Sequence, residues 1–280
     1  MNNILQVSNI SKRYESFSIE SLSFEIPKGY ITGFIGANGA GKTTIIKAVL
    51  SLIKVDSGEI FYDGKSVEDI SYIQNIGVIM DEPFLSKDWN IVMTEKAMSA
   101  AYDRWESEKF FHYIDDFNID RRLCVKELSR GMKIKLMLSI ALSHNAETLI
   151  LDEPTSGLDP GMRDELTDIL KDFVRDEDHT VLFSTHITQD LEAIADYIIF
   201  VMDGKLVTSS AKDEFMDKYR LIKGATEDFN DIKSEYIIGS KSSSVGFEAL
   251  ILSDDLKNIS GNFEIEIPSI DKIMIYHGRS

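Results

Sequence analysis

Apolar and polar positions follow two rhythms along this chain. Up to about residue 35 the apolar runs are short and strand-like: Val7-Ser8-Asn9-Ile10, Phe17-Ser18-Ile19, and Leu22-Ser23-Phe24-Glu25-Ile26. The last alternates apolar with polar until Pro27-Lys28-Gly29 breaks it. Tyr30 to Ile35 is a β-branched and aromatic run that predicts a further strand. Ile45, Ile46, Val49, Leu50 and Ile53 then recur at helical spacing. Glu59 to Tyr62 predicts a strand that runs into a tight turn at Asp63-Gly64. Ile76 to Met80 predicts a buried strand, ended by Asp81-Glu82-Pro83, and from about 90 to 145 the spacing becomes helical. Leu136 with Ile140, and Leu138 with Leu142, mark the apolar face of a helix over 130–143.

The strand rhythm returns at Thr148 to Leu151, which closes on Asp152 and Glu153, and again at Thr180 to Thr185, followed by His186. Between them, Met162, Leu166, Ile169, Leu170 and Phe173 share one helix face. Leu191, Ile194 and Ala195 predict a short helix, and Tyr197 to Val207 a hairpin around Asp203-Gly204. Alternating strands and helices from 30 to 185 predict an α/β core with a mostly parallel sheet, and the earlier short strands an antiparallel β layer beside it. Near Tyr219 the pattern changes to short strands, the serine run at 240–244 and a short helix within 268–274. We therefore expect a main domain over 1–218, with a helical subdomain at about 84–145, and a small α+β extension over 219–280.

Composition narrows this picture without redirecting it. The chain has 280 residues, and its net charge is −17. Such an acidic balance argues against broad contact with nucleic-acid phosphates or anionic lipid, and no nucleic-acid partner is expected. One cysteine, Cys124, allows no internal disulfide and reads as a small buried residue rather than a nucleophile. The first residues lack a basic region and a long apolar stretch, so no signal peptide is expected. No apolar run approaches the roughly 20 residues that span a bilayer, so any membrane role would go through another chain.

The richest chemistry lies between the predicted strand ending at Ile35 and the helix that follows. Gly36-Ala37-Asn38-Gly39-Ala40-Gly41-Lys42-Thr43-Thr44 fits the phosphate-loop pattern G-x-x-x-x-G-K-[ST] at every fixed position. Glycines let backbone N–H groups approach phosphate oxygens, and a helix N-terminus adds partial positive charge toward the same anion. Lys42 would neutralise β- and γ-phosphate charge, and Thr43 would offer its hydroxyl to Mg²⁺. Asp152 and Glu153 close a predicted strand at the sheet edge where α/β proteins bind ligands. One carboxylate could complete a Mg²⁺ shell and the other polarise an attacking water; the alternative is a solvated acidic pair. His186 could reach a γ-phosphate or orient the water, or it could be structural. Leu128-Ser129-Arg130-Gly131-Met132 offers either a plain N-cap at Ser129 or a second anion site.

With these motifs in this order, residues 1 to about 218 resemble the ATP-binding subunit of ABC transporters. Gly36 to Thr44 resembles the Walker A loop, and Leu128 to Met132 resembles the LSGGQ signature. Leu149-Ile150-Leu151-Asp152-Glu153-Pro154 resembles the Walker B strand with its glutamate. Ser156-Gly157-Leu158-Asp159 resembles the D-loop, His186 the switch histidine, and Tyr14 the aromatic residue that stacks on adenine. The resemblance implies a P-loop NTPase fold and an ATPase with ATP and Mg²⁺ as cofactors. It implies head-to-tail pairing, as a homodimer or a heterodimer with a similar chain, in which Ser129 and Gly131 touch the nucleotide of the other subunit. It also implies an integral membrane permease partner and a cytoplasmic, peripheral location on the inner face of the cell membrane.

Three positions depart from the family pattern. Asp81 stands where a glutamine is usual, a residue that senses Mg²⁺ and couples to the membrane subunit; the aspartate would either join the metal shell or alter the coupling. Arg130 replaces the first glycine of the signature and Met132 its glutamine; Arg130 would either add charge near the phosphates or face solvent. Together with Glu82-Pro83 these departures resemble the single-domain ATPases of bacterial exporter-type permeases. The competing function is a soluble ABC ATPase with an assembly or regulatory role. Too few residues separate Lys42 from Ser129 for the coiled-coil insertion of repair ATPases, and the chain carries one cassette, not two. The extension would either stabilise a dimer or simply pack as an appendage.

Overall fold

A computed structural model describes residues 2–229, 232–244 and 246–279. The chain divides into two compact units, Met1–Val207 and Thr208–Ser280; the boundary expected at 218/219 falls at the start of a strand of the second. The elements of the first unit are β1 (Asn3–Arg13), β2 (Ser18–Pro27), β3 (Ile31–Ile35), α1 (Lys42–Val49), β4 (Ser57–Tyr62), β5 (Lys65–Ser66), β6 (Ile76–Ile79), α2 (Ile91–Ala101), α3 (Ser107–Asp116), α4 (Arg130–Ser143), β7 (Thr148–Asp152), α5 (Pro160–Phe173), β8 (Thr180–Thr185), α6 (Thr188–Ile194) and β9 (Tyr197–Met202). The next strand, β10 (Lys205–Ala211), crosses the boundary between the units.

Two sheets build this unit. The larger is ordered β10-β9-β3-β8-β7-β6, with parallel pairing from β9 through to β6. Strands β3, β7 and β8 are buried at every position, as expected of parallel strands covered on both faces. The second sheet, β2-β1-β4-β5, is antiparallel. Between the two lie Phe24, Ile45, Ile46, Val49 and Ile60 in one buried cluster with Phe34, Ile150 and Leu182. The mostly parallel sheet and the antiparallel layer are therefore as expected.

The expected short strands near the N-terminus need correction. Val7 to Ile10 is part of one eleven-residue strand, and Ser18-Ile19 and Leu22 to Ile26 join into β2, with Phe17 just before it. Register shifts interrupt the β1–β2 pairing between Val7 and Ile10 and between Ile10 and Lys12. Asn9 and Ser21 take positive φ at these irregularities. Each bulge resets the two-residue period, so a continuous bent strand reads as fragments. Cys124 also differs from expectation, being only half-buried, with its N–H donated to Glu127 Oε2 at 2.7 Å.

Helices α2, α3 and α4 form the helical lobe around Ile91, Met98, Phe110, Ile114, Val125, Leu136 and Ile140. Phe110 is fully buried, and its truncation to alanine is worth about 3–5 kcal/mol on general grounds. Asn90, Ser129 and Asp159 accept N–H groups at the starts of α2, α4 and α5, satisfying donors that the helices leave open.

The hairpin between β9 and β10 turns at Asp203-Gly204, both with positive φ. Gly204 N–H donates to Ala40 O at 3.2 Å, and Gly204 O accepts from Glu20 N–H at 3.1 Å. A Cβ at Gly204 would drive into the Ser18 carbonyl, so the turn requires glycine for approach as well as for φ.

The second unit contains α7 (Lys212–Asp217), β11 (Tyr219–Gly224), α8 (Thr226–Phe229), β12 (Gly239–Ser243), β13 (Gly246–Leu252), β14 (Glu264–Glu266) and α9 (Ile270–His277). Its antiparallel sheet is ordered β12-β13-β11-β14. Ile222, Phe247, Ala249 and Ile251 form its core with Ile232. From α9, Lys272 Nζ and Tyr276 OH both donate to Glu248 Oε2, at 3.0 and 2.8 Å. They hold the Glu248 carboxyl below its usual range, while burial and Glu248 push the Tyr276 phenol up to about 12.

In the helical lobe, His144 is buried at the end of α4, with its ring stacked on Tyr102 at 3.9 Å. Burial lowers its pKa from the ordinary 6.5. The unfolded chain therefore binds the proton more readily, and the contribution of neutral His144 is complete above pH 6.5 and declines as pH falls toward the lower folded value. His277 in the second unit is shifted the same way by burial. We expect urea midpoints to fall between about pH 7 and pH 5, with a shallower fall in His144→Asn. Equal slopes would show that His144 does not carry the effect.

Candidate functional site

The phosphate loop joins β3 to α1, as its chemistry requires. Gly36 and Ala40 are buried, whereas Asn38 and Gly39 are exposed at its tip. Gly39 and Gly41 have φ of 84° and 105°, and a Cβ on Gly41 would sit 2.7 Å from Phe17 Cζ. Both positions suit glycine for a backbone reason. Lys42, Thr43 and Thr44 form the first turn of α1.

Lys42 is 6 % exposed, and its ammonium folds back over the loop. Nζ donates to Gly36 O at 2.8 Å and lies 3.2 Å from Glu153 Oε1. On the other side, Glu153 Oε2 lies 2.7 Å from His186 Nδ1 and accepts the His186 N–H at 3.3 Å. Lysine, glutamate and histidine thus form one continuous chain of contacts. Glu153 itself has φ of 51°, a left-handed conformation that strains a non-glycine residue by about 1–3 kcal/mol. Its N–H donates to Ser184 O at 3.1 Å and to Ser184 Oγ at 3.0 Å, which hold the strained peptide in place.

Asp152 is buried beside this chain and shared between two hydroxyls. Thr43 Oγ1 donates to Oδ2 at 2.8 Å, and Ser184 Oγ donates to Oδ1 at 2.6 Å. A hydroxyl that gives its proton to a carboxylate keeps its lone pairs. Thr43 and Asp152 are therefore adjacent oxygen donors of the kind a hard cation such as Mg²⁺ takes. The loop, its lysine and these oxygens can bind a polyphosphate and its metal, with Glu153 at hand as a proton acceptor.

The structure joins Lys42, Thr43, Asp152, Glu153 and His186 in one bonded group. Ser129, Gly131 and Asp159 form a second group. Ser129 Oγ accepts from Met132 N–H at 3.3 Å, and Asp159 Oδ1 accepts from Met162 N–H at 3.1 Å. A Cβ on Gly131 would lie 3.1 Å from Met162 Cε, so the start of α4 packs on the start of α5. Among the described residues, no side-chain hydrogen bond links this group to the first. Tyr14 stands apart, 44 % exposed, with Lys12 Nζ 5.9 Å from its ring centroid. Asp81, a candidate for the metal shell, pairs with Arg130 at 2.5 Å.

Sequence reasoning passed over two supports. Ser184 is a polar residue inside an apolar strand, which is the signal that it bonds something buried. Asp190 is a buried carboxylate on α6; it accepts from Thr155 Oγ1 at 2.5 Å and faces Arg163 Nε at 3.7 Å. It ties α6, which follows His186, to the loop that follows Glu153. We expect Ser184→Ala to cost about 1–3 kcal/mol of stability in denaturant titration, because a buried carboxylate and a strained N–H each lose a partner. A change below a few tenths would show that these bonds are replaced by other groups.

With the geometry described, comparison with known proteins is direct. A profile of the ABC transporter family matches residues 19–156. The lantibiotic transport ATP-binding protein SrtF of Streptococcus pyogenes is 36 % identical over 215 residues, covering 75 % of this chain and 92 % of SrtF. The SkfA peptide export ATP-binding protein SkfE of Bacillus subtilis is 32 % identical over 222 residues, covering 77 % and 92 %. A solved ATP binding subunit of an ABC transporter superposes with a TM-score of 0.65 at 26 % identity, covering 75 % of this chain and 91 % of that one. Motif order, fold and relatives agree, and the chain belongs to the ABC transporter family as one of its nucleotide-binding ATPase subunits.

Proposed function

We propose that this ATPase drives export through a separately encoded integral membrane permease, and that it works as a pair, with a second copy or a similar chain. The contact chain Lys42–Glu153–His186 beside Thr43–Asp152 carries this reading, because it joins phosphate binding to a proton acceptor. The names of the relatives, which refer to lantibiotic transport and peptide export, support the direction. Among the described residues no helix is long and apolar enough to cross a membrane. A permease partner would hold the chain at the inner, cytoplasmic face.

On this reading Tyr14 stacks on adenine. Gly36, Asn38, Gly39, Ala40, Gly41 and Thr44 line the phosphates, and Lys42 leaves Glu153 to neutralise the β- and γ-phosphates. Thr43 and Asp152 hold Mg²⁺, which when bound offsets phosphate charge. Released from Lys42, Glu153 accepts the proton of the attacking water, and His186 orients it and reaches the γ-phosphate. Ser129 and Gly131 of one chain, with Asp159 nearby, face the nucleotide held by the other. Exposed Phe84, Val92 and Met93 support a docking surface for the permease on the helical lobe. We assign these roles to residues 1–218, with 84–145 as the helical subdomain and 219–280 as an appended extension.

Glu153→Gln should keep ATP binding, lower turnover by about 10²–10⁴-fold as expected for loss of a general base, and accumulate an ATP-dependent dimer in sedimentation. Lys42→Ala should lose nucleotide binding. Wild-type hydrolysis by Glu153→Gln would refute the assignment of the base.

A further inference from the structure

Asp81 and Arg130, two of the departures from the family pattern, are partners. Arg130 Nη2 lies 2.5 Å from Asp81 Oδ1. Asp81 follows the end of β6, at the edge of the parallel sheet; Arg130 is the first residue of α4, in the helical lobe. The arginine also touches a third segment. A Cβ on Gly157 would lie 3.5 Å from Arg130 Cδ, so the side-chain stem crosses the loop between β7 and α5. Gly157 has φ of 71° there. Arg130 Nε is buried and has no hydrogen-bond partner among the described residues. The guanidinium is therefore held along its stem and bonded at one end.

The Asp81 carboxylate is 59 % exposed and the Arg130 side chain 38 %. An ion pair this open adds little to folding stability. Its effect is geometric, because it joins three segments distant in sequence: the end of β6, the start of α4 and the loop after Glu153. Ser129 and Gly131 flank Arg130, so its position sets theirs. Placement errors of about 1 Å at such a site can cost about 10²-fold in rate.

We propose that Asp81 and Arg130 are a positioning pair, which fixes the start of α4, with Ser129 and Gly131, against the sheet edge in the orientation that a nucleotide on the second chain requires. Asp81 thus serves the signature loop rather than the metal shell. The inference rests on the paired-subunit reading above. It assigns the salt bridge to the half of the site that one chain presents to another, and leaves the chain's own phosphate loop independent of it.

The test compares wild type with Asp81→Asn, Arg130→Gln and the charge exchange Asp81→Arg/Arg130→Asp. ATP affinity is read on dilute protein with a fluorescent ATP analogue, with and without Mg²⁺, and kcat and KM are read at concentrations that allow pairing. Each single variant should bind nucleotide within about twofold of wild type yet lose about tenfold in kcat, and the exchange should recover most of that loss, as a direct pair does in a double-mutant cycle. Melting temperatures close to wild type would show that all variants fold. A Mg²⁺-dependent loss of affinity in Asp81→Asn would overturn the proposal and return Asp81 to the metal shell. Unchanged kcat in both single variants would also overturn it, as would an exchange no better than either single variant. In parallel, Glu153→Gln with and without Asp81→Asn is sedimented in ATP. A dimer in the first that weakens in the second supports the pair. No dimer in either would count against the paired-subunit reading itself, and an equal dimer in both against the positioning role alone.

Discussion

A lysine ammonium that is almost fully buried must have anionic or carbonyl company, and in this chain it has both. Lys42 is bound by the carbonyl of its own loop and by the carboxylate of Glu153. Removing either partner would leave charge uncompensated in a region of low dielectric, which is strongly unfavourable. The loop, the end of β7 and His186 are therefore joined through the Glu153 carboxylate. Under the proposed function, phosphate would replace Glu153 as the counter-charge of Lys42, so that binding the substrate and freeing the proposed base would be one electrostatic exchange.

The second dependence is on hydroxyls. Ser184 serves Asp152 with its proton and Glu153 with its lone pair. It bonds the carboxylate of Asp152 and the backbone N–H of Glu153 at once, and it makes a strained glutamate conformation tolerable. The parallel pairing of β7 with β8 sets Ser184 opposite Asp152. Sheet register thus sets the geometry of the candidate site with no loop in between.

Much of this was legible in the residues. The phosphate loop, the carboxylate pair and His186 each sit where an apolar run ends, and that placement is a strong signal. Strand order in the parallel sheet is less legible, because a buried strand reads the same in the middle or one place aside. The fragments over β1 and β2 misled because Asn9 and Ser21 interrupt the alternation while the pairing continues. For Ser184 and Asp190 the sequence signals at most that a polar group is buried; which group each bonds depends on contacts between segments distant in sequence. The Asp81–Arg130 contact spans segments distant in sequence; each residue taken alone suggested a different role, and only their proximity relates them.

The Asp203-Gly204 turn has the outward marks of a place where proteins accept insertions, being a short polar hairpin that leads into the edge strand β10. Here it is bonded to Ala40 on one side and Glu20 on the other. A tag or loop grafted at this turn would pull on the backbone of the loop proposed to hold phosphate. For anyone engineering this chain, a surface hairpin remote in sequence from the phosphate loop has to be treated as part of it.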